Sequence, residues 1–179
     1  MKGIVFTEFI DLVAKQYGEE VIDRVITESN LPSGAAYTAV GTYDHEEMMT
    51  MVRKLALATR ASASSLLKDF GEHLFTRFAA RYPQFFGGIT SSFSFLSRIE
   101  GHIHVEVRKL YPDAELPSII CEHRSESEMV LTYRSTRPLA AFAEGLMLGA
   151  IAHFGETVEV TKTDSAEDET YVRFELKKS

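Results

Sequence analysis

Apolar residues recur at helical spacing through the first third of the chain. The first series comprises Val5, Phe6, Phe9, Ile10 and Val13, and a second series follows Gly18. This pattern predicts two short helices. Proline and glycine interrupt it over residues 30–42, which we interpret as a loop. Asp44 then stands before two glutamates, as is typical of a helix N-terminus, and we expect that helix to run to about Thr59.

Two further helices are predicted in the middle of the chain. Apolar positions from Leu67 to Phe78 mark one face of a helix that ends before Pro83. After a break at residues 87–92, apolar residues again step by three or four from Phe93 to Leu110; they are Leu96, Ile99, Ile103, Val107 and Leu110. This spacing predicts one long, regular helix, stopped by Tyr111 and Pro112.

Beyond Pro117 the apolar period changes from helical to that of strands. We predict strands at 119–123, 129–133, 157–163 and 171–176, a helix from Pro138 to about Phe154, and an acidic loop at 164–169. The last two strands alternate apolar and polar residues, which favours an antiparallel sheet with one buried face. The chain is therefore predicted to be α+β, an N-terminal helical subdomain followed by a C-terminal antiparallel sheet with packed helices, in one domain over 1–179.

Composition and charge exclude several classes of protein. The net charge of −7 argues against a nucleic-acid partner and against an anionic membrane surface. The most apolar stretch, residues 139–154, is interrupted by Glu144 and is shorter than the roughly 20 residues that span a bilayer. We find no signal peptide, and the single cysteine, Cys121, permits no internal disulfide. A cytoplasmic protein is the expectation.

Three hydrogen-bond donors follow one another at alternate positions near residue 135. If the strand continues through this run, Tyr133, Ser135 and Arg137 share one face. A phenol, a hydroxyl and a guanidinium fork together suit a carboxylate or phosphate ligand, because Arg can donate two parallel bonds to such a group. The alternative is an exposed strand end whose arginine forms a salt bridge with the acidic surface.

Among the six histidines, His104 lies on the edge of the apolar stripe of the long helix. An imidazole that faces a core needs a partner, either a structural one or a metal. His102 lies about 200° around the same helix and should face solvent, so the two cannot bind one metal together. Cys121 and His123 share a strand face and could hold zinc, but two ligands without two more are weak support for such a site.

Several short motifs occur together in an order that resembles the haem nitric oxide/oxygen binding (H-NOX) family. They are the start Met1-Lys2-Gly3, the turn Tyr82-Pro83, His104 seven residues before Tyr111-Pro112, then Pro117, and Tyr133-x-Ser135-x-Arg137. The resemblance extends over the whole chain, and the last motif is its most specific part. Members of this family are bacterial sensors related to the haem domain of soluble guanylate cyclase.

The resemblance implies a haem b held between the helical part and the sheet part. His104 corresponds to the axial ligand of the iron and the only metal ligand, Tyr133, Ser135 and Arg137 correspond to the clamp on the haem propionates, and Pro117 to the proline that distorts the ring. Further cofactor-binding candidates are the apolar residues Val5, Phe9, Leu74, Phe78, Phe142 and Leu146. The alternative for these residues is ordinary core packing.

Gas selectivity is where the sequence departs from one branch of the family. Members that hold oxygen stably have a distal tyrosine five residues past the clamp arginine; the corresponding residue here is Phe142. A helper asparagine of that branch corresponds to Leu74. Bound oxygen gains from a hydrogen-bond donor, whereas nitric oxide binds ferrous haem strongly without one. The sequence therefore predicts binding of nitric oxide and carbon monoxide, with exclusion of oxygen.

These implications together describe a gas sensor that is not an enzyme. Because we see no catalytic domain in the sequence, we expect it to act in trans on a histidine kinase or a cyclic-di-GMP enzyme. Two other classes stay open. A haem enzyme of the peroxidase or dioxygenase type would need distal acid/base groups, and none is assignable from the sequence. A haem-free ligand-binding module would need no haem ligand at all.

Overall fold

Seven α-helices and four β-strands make up the part of the chain that the structure, a computed structural model, describes, which is residues 1–167 and 170–179. The helices are α1 Gly3–Tyr17, α2 Glu19–Ser29, α3 His45–Thr59, α4 Ala63–Arg81, α5 Ser92–Ser97, α6 His104–Leu110 and α7 Ala140–His153. The strands are β1 Ser118–His123, β2 Glu128–Arg134, β3 Val158–Ser165 and β4 Tyr171–Lys178. The α+β prediction is confirmed.

The chain divides within α4 into two compact units, Met1–Phe70 and Gly71–Ser179. The first unit contains the three predicted N-terminal helices, with α1 and α2 separated by Gly18, whose φ of 94° suits glycine. Asp44 caps α3 by accepting the backbone N–H of Glu46 at 3.0 Å. The ring of Phe6 stacks on Tyr37 at a centroid distance of 4.3 Å in its core.

The second unit is built on the sheet, whose strand order is β1-β2-β4-β3 with every neighbouring pair antiparallel. Alternate residues point to one buried face, as the period of two predicts: Met129, Leu131 and Tyr133 on β2, and Val172, Phe174 and Leu176 on β4. Residues of α7, including Met147, Ala150 and Ile151, belong to the same core cluster. The sheet therefore has a helix against its buried face.

The prediction of one regular helix from Phe93 to Leu110 is wrong. Helix α5 ends at Ser97, and a π-helical segment, Ile99–Ile103, precedes α6. The N–H of His104 bonds to the carbonyl of Ile99, five residues back. Gly101 stands in the middle of this wide turn, where its low helix propensity weakens the α-helical alternative. The apolar spacing hid this change because it continues across the turn.

Several predicted boundaries also move. Strand β2 ends at Arg134, so Ser135 and Arg137 lie beyond it instead of on one strand face with Tyr133. Helix α7 begins at Ala140, and Pro138 is therefore not its first residue. Strand β3 runs to Ser165, which shortens the predicted acidic loop at 164–169. Two residues of that loop, Asp168 and Glu169, lie outside the described residues.

Helices α4 and α7 approach each other closely through glycine. A Cβ on Gly71 would lie 2.4 Å from the carbonyl oxygen of Phe142, and one on Gly149 would lie 2.7 Å from Cβ of Phe75. Neither position has room for a side chain. Helix α7 is apolar, but no helix in the described part of the chain has both the length and the apolar character required to cross a bilayer.

Glu156 anchors the first turn of α5 to the sheet. Its carboxylate accepts the backbone N–H of Ser92 at 3.0 Å and contacts the Ser92 hydroxyl, while Lys178 donates to it at 2.8 Å. Burial by itself raises the pKa of Glu156, but the bonds from Lys178 and Ser92 outweigh it, and the net pKa is lowered. The anion is thus the form that the fold stabilises.

We expect Glu156→Ala to lower the free energy of unfolding by about 1.5 to 3 kcal/mol at pH 7, the usual worth of hydrogen bonds to a charged group. Because the pKa of Glu156 is lower in the folded state, this difference from wild type should shrink as the pH falls below the unfolded value of about 4.3. Urea unfolding at several pH values measures it. The exposed Glu126→Ala is the control, and an effect that grows toward acid pH would contradict the assignment.

Candidate functional site

His104 is the first residue of α6 and points inward. Within α6, all of which the structure describes, it alone is buried, at 8% exposure. His102 is exposed, as the sequence predicts. Burial lowers the pKa of His104, although the neighbouring Glu100 carboxylate acts in the opposite direction. The imidazole is therefore neutral near pH 7, which is the form that binds a metal.

Glu100 fixes one of the two ring nitrogens of His104. Its Oε2 atom lies 3.2 Å from Nδ1 of His104, and the same oxygen accepts the backbone N–H of Ile119 at 3.0 Å. Among residues 1–167 and 170–179, Nε2 of His104 has no hydrogen-bond partner. One nitrogen is thus oriented by a carboxylate and the other is left to bind, as in most histidine metal sites.

The β1-β2 pair links His104 to the other predicted cofactor residues of the second unit. Ile119, which Glu100 holds, pairs across the sheet with Tyr133. Pro117 lies two residues before Ile119 and is half-buried. One carboxylate and one strand pair therefore connect the candidate ligand to the first residue of the candidate clamp, and the candidate ring-distorting proline directly precedes β1.

Tyr133, Ser135 and Arg137 are brought together by the turn after β2 and not by strand alternation. The buried Tyr133 hydroxyl donates to the carbonyl of Arg137 at 3.4 Å, and the backbone N–H of Arg137 donates to Oγ of Ser135 at 3.1 Å. The Arg137 guanidinium forms a salt bridge with the carboxylate of Glu115. The guanidinium thus donates to a carboxylate, the same chemical group that a haem propionate carries.

The predicted apolar wall residues of the second unit lie on α4 and α7. Leu74 and Phe78 follow Gly71 at helical spacing on α4, and Leu74 is fully buried. Phe142 and Leu146 lie on α7 where it touches Gly71. Two helices in close contact therefore carry these four side chains, and all four are hydrocarbon.

The remaining two wall candidates, Val5 and Phe9, lie on α1 in the first compact unit. Phe9 is buried there, with its ring edge-on to Phe70 at a centroid distance of 5.2 Å. Val5 is half-buried. Both are placed as members of an apolar helix face, as their spacing predicts.

The zinc alternative receives no support from the structure. Burial raises the pKa of the Cys121 thiol to about 12, which opposes the thiolate that zinc requires. His123 is hydrogen-bonded through Nε2 to Ser97 at 2.8 Å. In the described parts of the chain, no three His, Cys, Asp or Glu side chains cluster closely enough to hold a metal ion. The described residues therefore offer a metal only one protein ligand, His104, which fits a metal whose other ligands come from a cofactor.

The donor set fits haem. The buried neutral imidazole of His104 would serve as a ligand of the iron, the Arg137 fork suits a carboxylate such as a propionate, and the candidate wall residues are apolar. The family model described as Haem-NO-binding matches residues 2–162. The chain belongs to the H-NOX family. H-NOX domains bind haem and act as gas sensors rather than enzymes, which agrees with the expectation from the sequence motifs.

Solved H-NOX structures resemble the whole chain. The Fe(II) unliganded H-NOX protein from K. algicida is 40% identical, with a TM-score of 0.95, 100% of this chain covered and 97% of that one. The S. oneidensis protein in the Fe(II)NO state is 27% identical, with a TM-score of 0.91 and coverage of 100% and 99%.

A third H-NOX relative, from Shewanella woodyi, was solved in solution in the Fe(II)CO state with IWP-051 bound. It is 37% identical, with a TM-score of 0.85, and the match covers 100% of this chain and 95% of that one. The comparison with curated proteins found no match.

Two polar residues of the site were missed by the sequence reasoning. Glu100 stands four residues before His104, and residues at that spacing are neighbours on a helix surface, so the signal was present. Glu115 carried no such signal. It lies 22 residues from Arg137 in sequence, and only the fold brings the two together.

Proposed function

We propose that this H-NOX chain holds haem b through His104 and senses nitric oxide at the ferrous iron. The observation that carries the proposal is the buried imidazole of His104, with Nδ1 held by Glu100 and Nε2 without a hydrogen-bond partner in the described residues. Ferrous haem, when bound, would supply the chemistry that binds a diatomic gas. His104 would hold the iron, and its bond to the iron is the contact of this chain that nitric oxide would weaken.

The choice of gas is assigned to the side chains of α4 and α7. Leu74 and Phe142 carry no hydrogen-bond donor, and a bound oxygen molecule, which bears partial negative charge, would gain nothing from them. Nitric oxide and carbon monoxide do not need such a donor. That two H-NOX relatives were solved with nitric oxide or carbon monoxide on Fe(II) supports the same choice of ligands.

Absorption spectra of the purified protein test the proposal directly. We expect a haem spectrum in the isolated protein, clear shifts when ferrous protein receives nitric oxide or carbon monoxide, and no stable complex in air. A peroxidase or dioxygenase would turn over peroxide or an organic substrate with oxygen. A haem-free module would show no haem band at all after haem is supplied.

Of the three clamp residues, Arg137 should contribute most to haem retention, because its guanidinium can donate two charge-assisted hydrogen bonds to one propionate. We expect Arg137→Ala to speed haem loss by about 10 to 100-fold, the effect of losing roughly 1.5 to 3 kcal/mol, and Ser135→Ala by less than about 10-fold. Transfer of haem to excess apomyoglobin measures the rate.

Arg134→Ala is the matched control for the clamp. Arg134 is exposed and lies over the ring of Tyr171, with its guanidinium carbon 5.1 Å from the ring centroid. Its loss should leave haem transfer unchanged. Normal haem retention in the triple variant Tyr133→Phe, Ser135→Ala, Arg137→Ala would remove the clamp from the proposal.

Signalling would start at His104, which would be released from the iron when nitric oxide binds. The π-helical segment Ile99–Ile103 joins α5 to α6 directly before this residue, and such interruptions often mark functional hinges. We expect nitric oxide to speed amide hydrogen exchange over residues 93–110, read by mass spectrometry. Unchanged exchange, together with a spectrum in which His104 is still bound to the iron, would contradict release while leaving haem binding intact.

We propose that the output is read by a separate protein, a histidine kinase or a cyclic-di-GMP enzyme, because H-NOX domains are sensors rather than enzymes. The free energy by which gas binding can alter the partner's affinity for the sensor is at most the difference in gas-binding free energy between the two states of the sensor. The measurement is the activity of the purified partner with the ferrous sensor, with and without nitric oxide. A partner whose activity is the same in both would not be the target.

A further inference from the structure

Glu100 occupies a position that the haem assignment leaves without a role. It lies in the π-helical segment, one turn before His104, and its side chain is 44% exposed. A single oxygen, Oε2, faces both Nδ1 of His104 at 3.2 Å and the backbone N–H of Ile119 at 3.0 Å. The carboxylate therefore joins the imidazole to the first residues of β1.

The geometry decides the tautomer of His104. Because an ionised carboxylate only accepts hydrogen bonds, the contact with Oε2 requires the proton on Nδ1, which leaves the lone pair on Nε2. Nε2 is also the nitrogen without a hydrogen-bond partner in the described residues. The wide turn before α6 makes this contact possible, because it places His104 on the buried side while Glu100 stays within reach of solvent and of β1.

We infer that Glu100 is a positioning residue: it orients His104 toward the iron, raises the electron density on its ring, and couples that residue to β1. The inference rests on the proposed function. A carboxylate on the far nitrogen makes an imidazole a stronger donor and favours the ferric over the ferrous state. Through Ile119 and its pairing with Tyr133, it also connects the axial ligand to the clamp strand.

Two substitutions separate the charge of Glu100 from its hydrogen bonds. Glu100→Gln keeps an acceptor for both His104 and Ile119 but removes the charge. Glu100→Leu removes both and keeps the approximate volume. Glu106→Gln is the matched control, because Glu106 lies two residues after His104 and pairs instead with Lys109 at 2.6 Å.

The readouts are the iron–histidine stretching band of the ferrous protein, the haem reduction potential, haem affinity and amide exchange at Ile119. For Glu100→Leu we expect a lower stretching frequency, a higher potential, haem affinity weaker by about 10 to 100-fold, and faster exchange at Ile119. For Glu100→Gln we expect the potential to rise while haem content and Ile119 protection stay near wild type. Glu106→Gln should change none of these.

If Glu100 has only a structural role, Glu100→Leu will change amide exchange at Ile119, but the stretching band and the reduction potential of both variants will stay at wild-type values. That result would overturn the inference. If the Leu variant does not fold, the potential of the Gln variant alone decides in the same way. A wild-type protein that takes up no haem would instead overturn the proposed function. The two failures are therefore distinguishable.

Discussion

Replacing His104 with glycine is expected to remove haem from the protein almost completely. His104 is buried at 8% exposure and supplies the single iron ligand in the proposed site. Loss of a group that merely orients a metal ligand typically costs about 10 to 100-fold in affinity, so loss of the ligand itself should exceed 100-fold. Haem content per chain after purification, from the ratio of haem to protein absorbance, measures the effect.

Added imidazole should restore haem binding to the His104→Gly variant, because the deleted side chain leaves space for the free ligand. His102→Gly is the control: it makes the same change two residues away on an exposed residue and should leave haem content unchanged. Equal haem loss in the two variants, or no rescue by imidazole, would show that another residue binds the iron.

Introducing a hydroxyl at position 142 is expected to give the proposed pocket, for which we predict no stable oxygen complex, the ability to bind oxygen. Phe142 lies on α7 beside α4, close to Gly71, and the proposed pocket offers a bound gas only hydrocarbon from this residue and from Leu74. A hydrogen bond to a charged acceptor contributes about 1.5 to 3 kcal/mol, which corresponds to about 10 to 100-fold in affinity. We expect Phe142→Tyr to gain that much for oxygen, measured by oxygen titration of the ferrous protein.

Phe142→Leu is the matched variant for this prediction. It changes the size of the side chain without adding a donor, so its oxygen affinity should stay at the undetectable level expected for wild type. Nitric oxide affinity should change little in either variant, because it does not depend on a donor. A long-lived oxygen complex in the unmodified protein would mean that a different donor lines the pocket.

Sequence patterns by themselves were sufficient for the fold class and most elements. The three N-terminal helices and the hairpin strands β1 and β2 lie where apolar spacing predicts them. A helix face and a strand face each bury apolar residues at a fixed period. The motif residues also identified the family, because His104 and Tyr133-x-Ser135-x-Arg137 are local in sequence. Their roles in binding haem stay predictions.

The sequence pattern could not predict the backbone before His104. Apolar residues at 99, 103 and 107 continue the α-helical period, yet a π-helical turn intervenes and His104, a polar residue, becomes the buried member of α6. A π-helical turn contains one residue more than an α-helical turn, which the spacing of apolar residues does not reveal. It changes the direction in which every later side chain of the helix faces. The contact of Glu100 with Ile119 on β1 helps to hold that turn, and it is long-range.

The clamp shows the same division between local sequence and tertiary structure. The sequence supplied the three donors, but the assumption that they share a strand face was wrong, because β2 ends at Arg134. The turn that follows brings Ser135 and Arg137 to Tyr133, and the fold adds Glu115 from 22 residues away. The sequence by itself thus determined the elements and the chemical groups of the candidate site. Contacts between distant segments decided how those groups are placed, because such contacts stabilise a π-helical turn or an early strand end that a local pattern does not favour.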